Sequence, residues 1–499
     1  MINKFFLQFS KKEAAGYLFG AVWSVLSLVV VNCASAYGQY NLMLVGMLLL
    51  FVGMAAFCLL EIKRRIMFFL FYLAMFLFLI GRILIPALQG SAWWNNYSVS
   101  ANVFAVRAIS YSMVAIAGGA VLTEIIVRLF NNKEKVSKVQ KKHFVSHESL
   151  IFVLRIILLI CMICFFIREA DKLLFMRGKA YEDYFSLYHT RMPFFVTFPA
   201  SCMQFFLCMF LALKPSKKES FLWLFVYILS AVPMLLIGVR NNIILNCLFA
   251  FVYYFLRDAI RGRQEKPWIG RVEKGIVICA IPVMVLFLGA YNYIRDDKAV
   301  TLSPVNLIVD FVYKQGTTYD TVLQGYVYQN QLPWRENQVY TLGAVTDSFF
   351  YSSLGKEIFD LEDIGEGNGL RQVYNGHTFT HAISYVVLGK YYIGGEGRGS
   401  SYIIENYLDW GYPGVVFFSM LIGVICSVIP QSFGKKWLWS TICLNIALNI
   451  FFTPRAESTA FITFIFSYRF WVCIAGCVFA AKLWELYFSK LKIFRKWVK

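Results

Sequence analysis

Runs of about twenty consecutive apolar residues recur along this chain from one end to the other. A helix of that length spans the hydrocarbon layer of a membrane and satisfies its own backbone hydrogen bonds, which an open strand cannot do. The runs are continuous rather than alternating, which argues against a membrane β-barrel. The chain is 59% hydrophobic and 18% aromatic, with a mean hydropathy of +0.59. The sequence therefore predicts an all-α, polytopic bundle of membrane-spanning helices.

Twelve spans are predicted, and the basic residues between them indicate a topology. The predicted spans are residues 14–34, 41–60, 66–88, 103–127, 149–168, 192–213, 219–238, 241–257, 275–294, 411–430, 437–453 and 459–482. Every second loop is rich in Lys and Arg, as in residues 61–65 and 257–274, whereas residues 89–102 contain none. Cytoplasmic loops carry such an excess. Both termini are therefore predicted to be cytoplasmic, and the net charge of +19 requires no nucleic-acid partner.

One long polar interval, residues 295–402, separates spans one to nine (residues 1–294) from the C-terminal part (residues 403–499). This last part is predicted to hold an interfacial helix and three spans. The topology places the interval on the outer side, and its many tyrosines are typical of a folded, partly helical cap. These aromatic rings suit the binding of sugar rings, although ordinary interfacial packing explains them equally well. No nucleotide-binding motif occurs, so no cofactor is expected and the substrate is expected to arrive through the membrane or from outside.

Several arginines lie near the predicted outer ends of spans, against the usual charge bias. They are Arg82, Arg107, Arg191, Arg240, Arg295, Arg398 and Arg455. The planar guanidinium binds phosphate through paired donors, so a lipid-linked pyrophosphate would explain why arginines gather at one membrane face. Snorkelling or pairing with carboxylates is the alternative for any one of them. Arg240 is the strongest candidate, because it lies in a tight turn before Asn241, where the free amides of a helix start also attract anions.

Two groups could act as acids or bases. His377 and His381 have the one-turn spacing of a metal pair, but no third ligand follows at a familiar spacing; metal binding, acid–base chemistry and packing all remain open. Glu405 and Asp409 share one face of a helix predicted over residues 400–410, which Gly411 and Pro413 interrupt. A partly desolvated Glu405 could serve as a general base. A salt bridge to Arg398 or Arg455 is the structural alternative.

The layout and one motif resemble the Wzy-type oligosaccharide repeat-unit polymerases. The motif runs from Gly397 to Gly414 as GxGSSxxxExYxxxGxxG and includes Arg398 and Glu405, and the arginine turn at residues 238–242 (GVRNN) is a weaker match. Residues 295–370 carry no motif of this kind. The resemblance implies a GT-C-like membrane glycosyltransferase, independent of metal and cofactor, at the outer face of the bacterial inner membrane. It would transfer a growing glycan from undecaprenyl pyrophosphate to the non-reducing end of a lipid-linked repeat unit.

The resemblance also implies roles for individual residues. The pyrophosphate is expected to be bound by Arg240 together with Arg295 or Arg398. Further contacts to it are expected from Asn241, Arg82, Arg191 and Arg455. Glycan contacts are expected from Asp409, Arg371 and Tyr402, and deprotonation of the acceptor hydroxyl from Glu405, His377 or His381. The implied partners are the undecaprenyl-pyrophosphate-linked oligosaccharide, the lipid bilayer, a chain-length regulator protein and a flippase. An O-antigen-ligase-type transferase with another acceptor is one alternative, and a flippase or transporter of polyprenyl-linked glycans is a second.

Overall fold

The computed structural model describes residues 11–131, 145–179, 181, 183–262, 264–295, 299, 302–333, 335–365 and 367–487. Every regular element in these ranges is helical. The N-terminal helices are α1 (Lys11–Ala36), α2 (Tyr40–Leu60), α3 (Ile62–Met75), α4 (Gly81–Leu88), α5 (Val99–Asn131), α6 (His147–Met176), α7 (Asp183–Leu187), α8 (Phe194–Ala212), α9 (Lys217–Leu229), α10 (Val232–Ile237), α11 (Asn241–Ala259) and α12 (Arg271–Arg295).

The helices of the polar interval are short, and those that follow it are long again, except for the helix at Thr463–Phe466. They are α13 (Pro304–Gln315), α14 (Thr318–Val327), α15 (Gly343–Phe350), α16 (Ser353–Phe359), α17 (Leu370–Tyr374), α18 (Phe379–Leu388), α19 (Lys390–Ile393), α20 (Tyr402–Ser432), α21 (Trp437–Asn449), α22 (Thr463–Phe466) and α23 (Tyr468–Tyr487). A π-helical turn (Phe76–Ile80) joins α3 to α4, and 3-10 turns occur at Trp93–Asn95, Gln329–Gln331, Tyr340–Leu342, Ile450–Arg455 and Ala460–Ile462.

Eleven helices of the described part are long and apolar enough to cross a membrane, which confirms the polytopic helical fold. The predicted span at 241–257 is also a helix, α11, but it is not among the eleven. Its polar residues, including Asn242 and Asn246, are the physical reason for its lower hydropathy. The last span begins at Tyr468 rather than at residue 459, because residues 460–466 form a 3-10 turn and the short α22. The basic segments 132–144 and 488–499, which contribute to the predicted topology, lie outside the described residues.

The predicted break at Gly411 is present. Helix α20 is interrupted at Trp410 (φ −140°, ψ 15°) and Gly411 (φ 64°, ψ −157°), so residues 402–409 form a short helix that is set off from the span behind it. The positive φ at Gly411 explains the glycine, because side chains rarely tolerate that conformation. The kink lets the segment with Glu405 and Asp409 take a different direction from the span.

Helix α20 packs closely on α5 through small residues. A Cβ at Gly119 would lie 2.1 Å from the carbonyl oxygen of Met420, and one at Gly423 would lie 2.2 Å from that of Ile116. Such close approach through glycines is common between membrane helices. Ser419 Oγ also donates a hydrogen bond to Ser112 Oγ across the interface at 2.9 Å. This pair of helices forms a fixed base for the residues that precede the kink.

The polar interval packs against one end of the bundle and shares its core. Buried Tyr319, Phe379 and Ile383 belong to the same continuous hydrophobic core as the spans. Tyr319 Oη donates to Asn102 Oδ1 at the start of α5 over 2.9 Å. A Cβ at Gly316 would lie 2.7 Å from Cβ of Arg82, so the turn before α14 lies directly on α4. The interval is therefore packed against the start of α5 and the helix α4 that carries Arg82.

Candidate functional site

Arg240 and Arg455 come together although they belong to different turns of the chain. They lie close enough for their positive charges to repel each other. Arg455 Nη1 donates to the carbonyl oxygen of Gln315 over 2.8 Å, and Arg240 Nη1 donates to that of Leu288 over 3.5 Å. Both side chains are half-buried. Two like charges in a partly desolvated place cost free energy that a bound anion would offset.

The turn that carries Arg240 depends on Gly238. This residue closes α10 in the left-handed conformation (φ 116°), and its N–H donates to the carbonyl of Leu235 over 2.9 Å. The next N–H, that of Val239, donates to the carbonyl of Met234 over 2.9 Å. This is the pattern with which glycine commonly ends a helix. Arg240 is therefore set immediately before the first residue of α11, Asn241, at the positive end of that helix.

The π-helical turn of the third span lies beside Arg455. The Arg455 guanidinium lies 5.6 Å from the centre of the Phe78 ring, and Phe78 also packs edge-on against Phe452 with 5.5 Å between ring centres. Single π-helical turns are often found at functional sites because they change the direction of side chains. Here the turn places the aromatic ring of Phe78 beside Arg455.

Glu405 is fully buried and both of its oxygens are engaged. Oε1 accepts from Ser400 Oγ at 2.5 Å and Oε2 accepts from the backbone N–H of Ser458 at 2.7 Å. The neighbouring Asn406 Nδ2 donates to Ser458 Oγ over 3.0 Å. The partners of Glu405 are Ser400 and Ser458, and that of Arg455 is Gln315, so in the described part of the chain neither Arg398 nor Arg455 forms an ion pair with Glu405. Glu405 therefore fixes the segment that follows Arg455.

A second carboxylate, Glu457, faces Glu405 and was missed at the sequence level. Its side chain hydrogen-bonds to Thr380 and feels the negative charge of Asp347. Burial, followed by the charge of Asp347, raises the pKa of Glu457 to about 7. The available signal was an acidic residue two positions after Arg455 in an otherwise apolar stretch. A last span that begins at residue 459, as predicted, leaves only a simple turn for that stretch.

His377 forms a hydrogen-bonded pair with Asp347. Its Nδ1 lies 2.7 Å from Asp347 Oδ1, and its backbone N–H donates to the same carboxylate at 2.8 and 2.9 Å. Gln338 Nε2 donates to the carbonyl of His377 over 2.8 Å, and a Cβ at Gly343 would lie 2.2 Å from that oxygen. The ring is thus held from several sides. Nε2 makes no hydrogen bond to the described residues, and the side chain is 31% exposed. The imidazole is oriented with one nitrogen available, as in acid–base catalysis.

His381 has a different environment. Its Nδ1 is hydrogen-bonded to Tyr392 Oη at 2.8 Å, and Tyr392 is tied in turn to the backbone of Gly369. Burial lowers the pKa of His381, so the ring is neutral near pH 7. The two histidines thus use separate partners. Within the described ranges, no group of three or more His, Cys, Asp or Glu residues is arranged to hold a metal ion.

Arg335 adds a cation that no sequence motif indicates. Its Nη2 donates to the carbonyl of Val373, but Nε and Nη1 are buried without a hydrogen-bond partner among the described residues. Burial lowers the pKa of Arg335, and the charge of Asp347 acts in the opposite direction. Thr341 Oγ1 and Thr378 Oγ1 are likewise buried without partners. Unsatisfied buried groups of this kind are rare and are often completed by a ligand or water.

Other predicted site residues have structural partners or are exposed. Arg82 pairs with Asp320 through two contacts, Nη2–Oδ2 at 2.6 Å and Nε–Oδ1 at 3.3 Å, so a packing role is favoured for it. Arg371 is exposed and lies 3.8 Å from the Glu362 carboxylate. Arg191 and Arg398 are exposed as well. Arg295 is the last residue of α12, and its side chain lies outside the described part.

The two remaining candidates, Asp409 and Tyr402, form hydrogen bonds to neighbouring parts of the fold. Asp409 accepts the backbone N–H groups of Tyr340 and Thr341 at 3.0 and 2.7 Å, so it anchors the 3-10 turn before α15. Tyr402 is fully buried and its hydroxyl is hydrogen-bonded to Ser112. These contacts indicate positioning rather than direct contact with a glycan.

Comparison with known proteins gave one match. A family model described as O-antigen polysaccharide polymerase Wzy matches residues 19–486, nearly the whole chain, including all the site residues described above. No curated protein and no solved structure matches.

Proposed function

The chain belongs to the O-antigen polysaccharide polymerase Wzy family, and from that premise we propose that it joins lipid-linked repeat units. In the proposed reaction, a growing glycan moves from undecaprenyl pyrophosphate to the non-reducing end of an incoming lipid-linked repeat unit. The observation that carries this proposal is the pair Arg240 and Arg455, together with an acid–base group of Glu457, Asp347 and His377 in which Glu457 follows Arg455 by two residues.

Arg240 and Arg455 would bind the pyrophosphate that joins the glycan to its lipid. The negative charge on this group increases as the sugar–oxygen bond breaks, so fixed guanidinium donors stabilise the transition state more than the bound substrate. The free amides at the start of α11, next to Asn241, act in the same direction. Arg240 and Arg455 lie at helix ends rather than in the middle of a span. The headgroup of a lipid carrier can reach these ends.

His377 would accept the proton of the acceptor hydroxyl at Nε2. The hydroxyl oxygen then forms a bond to the anomeric carbon of the donor sugar, while the bond from that carbon to the pyrophosphate oxygen breaks. Asp347 keeps Nδ1 engaged and stabilises the imidazolium that results. In this scheme Glu405 is a positioning residue, because its oxygens hold Ser400 and Ser458. No metal or cofactor is required, since the lipid pyrophosphate is already an activated leaving group.

The proposal places the reaction on the outer face of a bacterial inner membrane. Support comes from the alternation of strongly basic loops with loops that lack a comparable excess of Lys and Arg, which favours the outer side for residues 295–402. A flippase that delivers lipid-linked units and a chain-length regulator protein are the partners we propose with it.

The test is an assay with purified protein and a single substrate, the undecaprenyl-pyrophosphate-linked repeat unit. This repeat unit can be isolated from cells in which the gene for this chain is deleted. A polymerase produces a ladder of products that differ by one unit. A ligase that needs another acceptor produces none, and a flippase moves the substrate across vesicles without forming a new bond. Absence of the ladder would refute the proposed function.

A further inference from the structure

A polar cavity lies inside the bundle, apart from the residues assigned so far. Its volume is about 350 Å³, and its wall is formed by α6, α8, α9, α10, α11 and α21. A second cavity of about 270 Å³ shares Ser201, Gln204, Leu448 and Asn449 with the first, so the two lie side by side. Among small-molecule sites, volumes of roughly 300–1,000 Å³ are usual.

The first cavity presents polar groups whose hydrogen-bonding capacity is not used. Asn242 and Asn449 line it, both side chains are exposed, and neither amide is hydrogen-bonded to the described residues. Glu169 also lines it and is 1% exposed. Its Oε1 accepts from Lys172 Nζ at 2.8 Å, whereas Oε2 has no partner in the described part of the chain. Polar groups inside a membrane bundle are costly and usually serve a substrate pathway.

The position of the cavities connects them with the proposed reaction. Asn242 follows Arg240 by two residues at the start of α11. The second cavity is lined by Ser348, the residue after Asp347, and by Ala460, which lies shortly after Glu457. The first cavity is therefore lined by a near neighbour of Arg240, and the second by near neighbours of Asp347 and Glu457. A glycan whose pyrophosphate is held by Arg240 would place its nearest sugars here.

The chemistry of the lining fits a sugar ring better than a second phosphate. Amide groups both donate and accept, as sugar hydroxyls do, and a carboxylate oxygen is a strong acceptor for hydroxyl or amide hydrogens. Glu169 already forms ion pairs with Lys172 and Arg168. Arg168 and Lys172 line the same cavity, but both are paired with Glu169, so a phosphate would bring its charge next to a buried carboxylate. A sugar hydroxyl can supply the donor that Glu169 Oε2 lacks, whereas an ionised phosphate cannot. Phe165 and Tyr227 supply apolar surface on the same wall.

We propose that this cavity binds a sugar residue of the lipid-linked repeat unit, and that Asn242, Asn449 and Glu169 recognise its hydroxyl or amide substituents. This inference rests on the proposed function and extends it, because it assigns substrate selection to the bundle rather than to the cap. The pyrophosphate and the sugar are then recognised by separate groups on adjoining surfaces.

The test compares Asn449→Leu and Asn242→Leu with Asn306→Leu, a matched change at an exposed position on α13. Two quantities are measured for each variant, the KM for the undecaprenyl-pyrophosphate-linked repeat unit and the inhibition constant of undecaprenyl pyrophosphate without sugar. Loss of a hydrogen bond to the sugar raises KM roughly five- to tenfold in the cavity variants, while the inhibition constant and the control stay at wild-type values. Asn449→Ser, a smaller change, is the second variant should the leucine variants fold poorly.

Three outcomes separate the possibilities. A parallel rise in KM and in the inhibition constant would identify a phosphate site and overturn the proposal. Unchanged KM in all three cavity variants would also overturn it, while leaving the polymerase function intact. If wild-type protein makes no ladder from the same substrate, the failure lies instead in the proposed function.

Discussion

The carboxylate of Asp347 lies 2.7 Å from Nδ1 of His377 and also accepts the backbone N–H of the same residue. One acid thus fixes both the position of the loop and the orientation of the ring. Sequence reasoning named His377 but paired it with His381, which is bound to Tyr392. The partner that matters for its chemistry, Asp347, comes from α15, whereas His377 lies in the loop between α17 and α18.

Replacing His377 tests its role as base. His377→Gln keeps a polar side chain and is expected to lower kcat by about 10²- to 10⁴-fold, the usual contribution of a positioned base. Asp347→Asn is expected to lower kcat less and to leave KM near its normal value. Initial rates of ladder formation measure both, with the exposed His189→Gln as control. A His377→Gln enzyme with wild-type kcat would remove this residue from the mechanism.

Glu405 is expected to stabilise the fold rather than to take part in the reaction itself. Glu405→Ala removes the acceptor for Ser400 and for the N–H of Ser458, which leaves buried donors unsatisfied at a cost of about 1–3 kcal/mol. Thermal unfolding in detergent measures this as a lower Tm, with the exposed Glu396→Ala as control. If the Tm of Glu405→Ala equalled that of wild type, the anchoring role would be wrong.

The raised pKa of Glu457 predicts that the stability of the folded protein depends on pH. Burial raises its pKa in the folded protein to about 7, above the value of about 4.3 expected in the unfolded chain. The folded state therefore binds this proton more tightly, and the stabilisation is complete below the unfolded pKa and lost as the pH rises through about 7. Between pH 5 and pH 8, the Tm of wild type should fall more than that of Glu457→Gln.

The exposed Glu357→Gln serves as the control for that comparison and should follow wild type. Parallel curves for wild type and Glu457→Gln would contradict the assignment of a raised pKa to Glu457.

Metal independence is tested by chelation. Ladder formation by purified protein should be unchanged after treatment with a chelator, because arginines replace a metal ion at the pyrophosphate in the proposed scheme. Loss of activity that only a divalent cation restores would overturn this part of the account.

Much of the architecture follows from the sequence because it depends on local patterns. Apolar runs specify the spans, and Gly411 with Pro413 specifies the break after the short helix that carries Glu405. The turn at Arg240 was also predictable, since Gly238 ends one helix next to the start of another. These features require only neighbouring residues.

The set of residues that forms the site could not be predicted from the sequence, because these residues come together only in the folded chain. Asp347 and Arg335 lie in a segment without any motif, and Glu457 lies where a span was expected to begin. The pairing of Arg82 with Asp320 could not be predicted either, although it gives that arginine a structural partner. Long-range contacts of this kind leave no periodic signal in one sequence.

The central claim is that Arg240 and Arg455 together bind the pyrophosphate. The most direct measurement is the affinity of purified protein for undecaprenyl pyrophosphate, with Arg240→Lys, Arg455→Lys and the exposed, distant Arg64→Lys as control. Because lysine cannot reproduce the paired donors of a guanidinium, each of the first two variants should bind at least about tenfold more weakly and leave single repeat units unpolymerised. Wild-type affinity and normal polymer length in both variants would contradict the account.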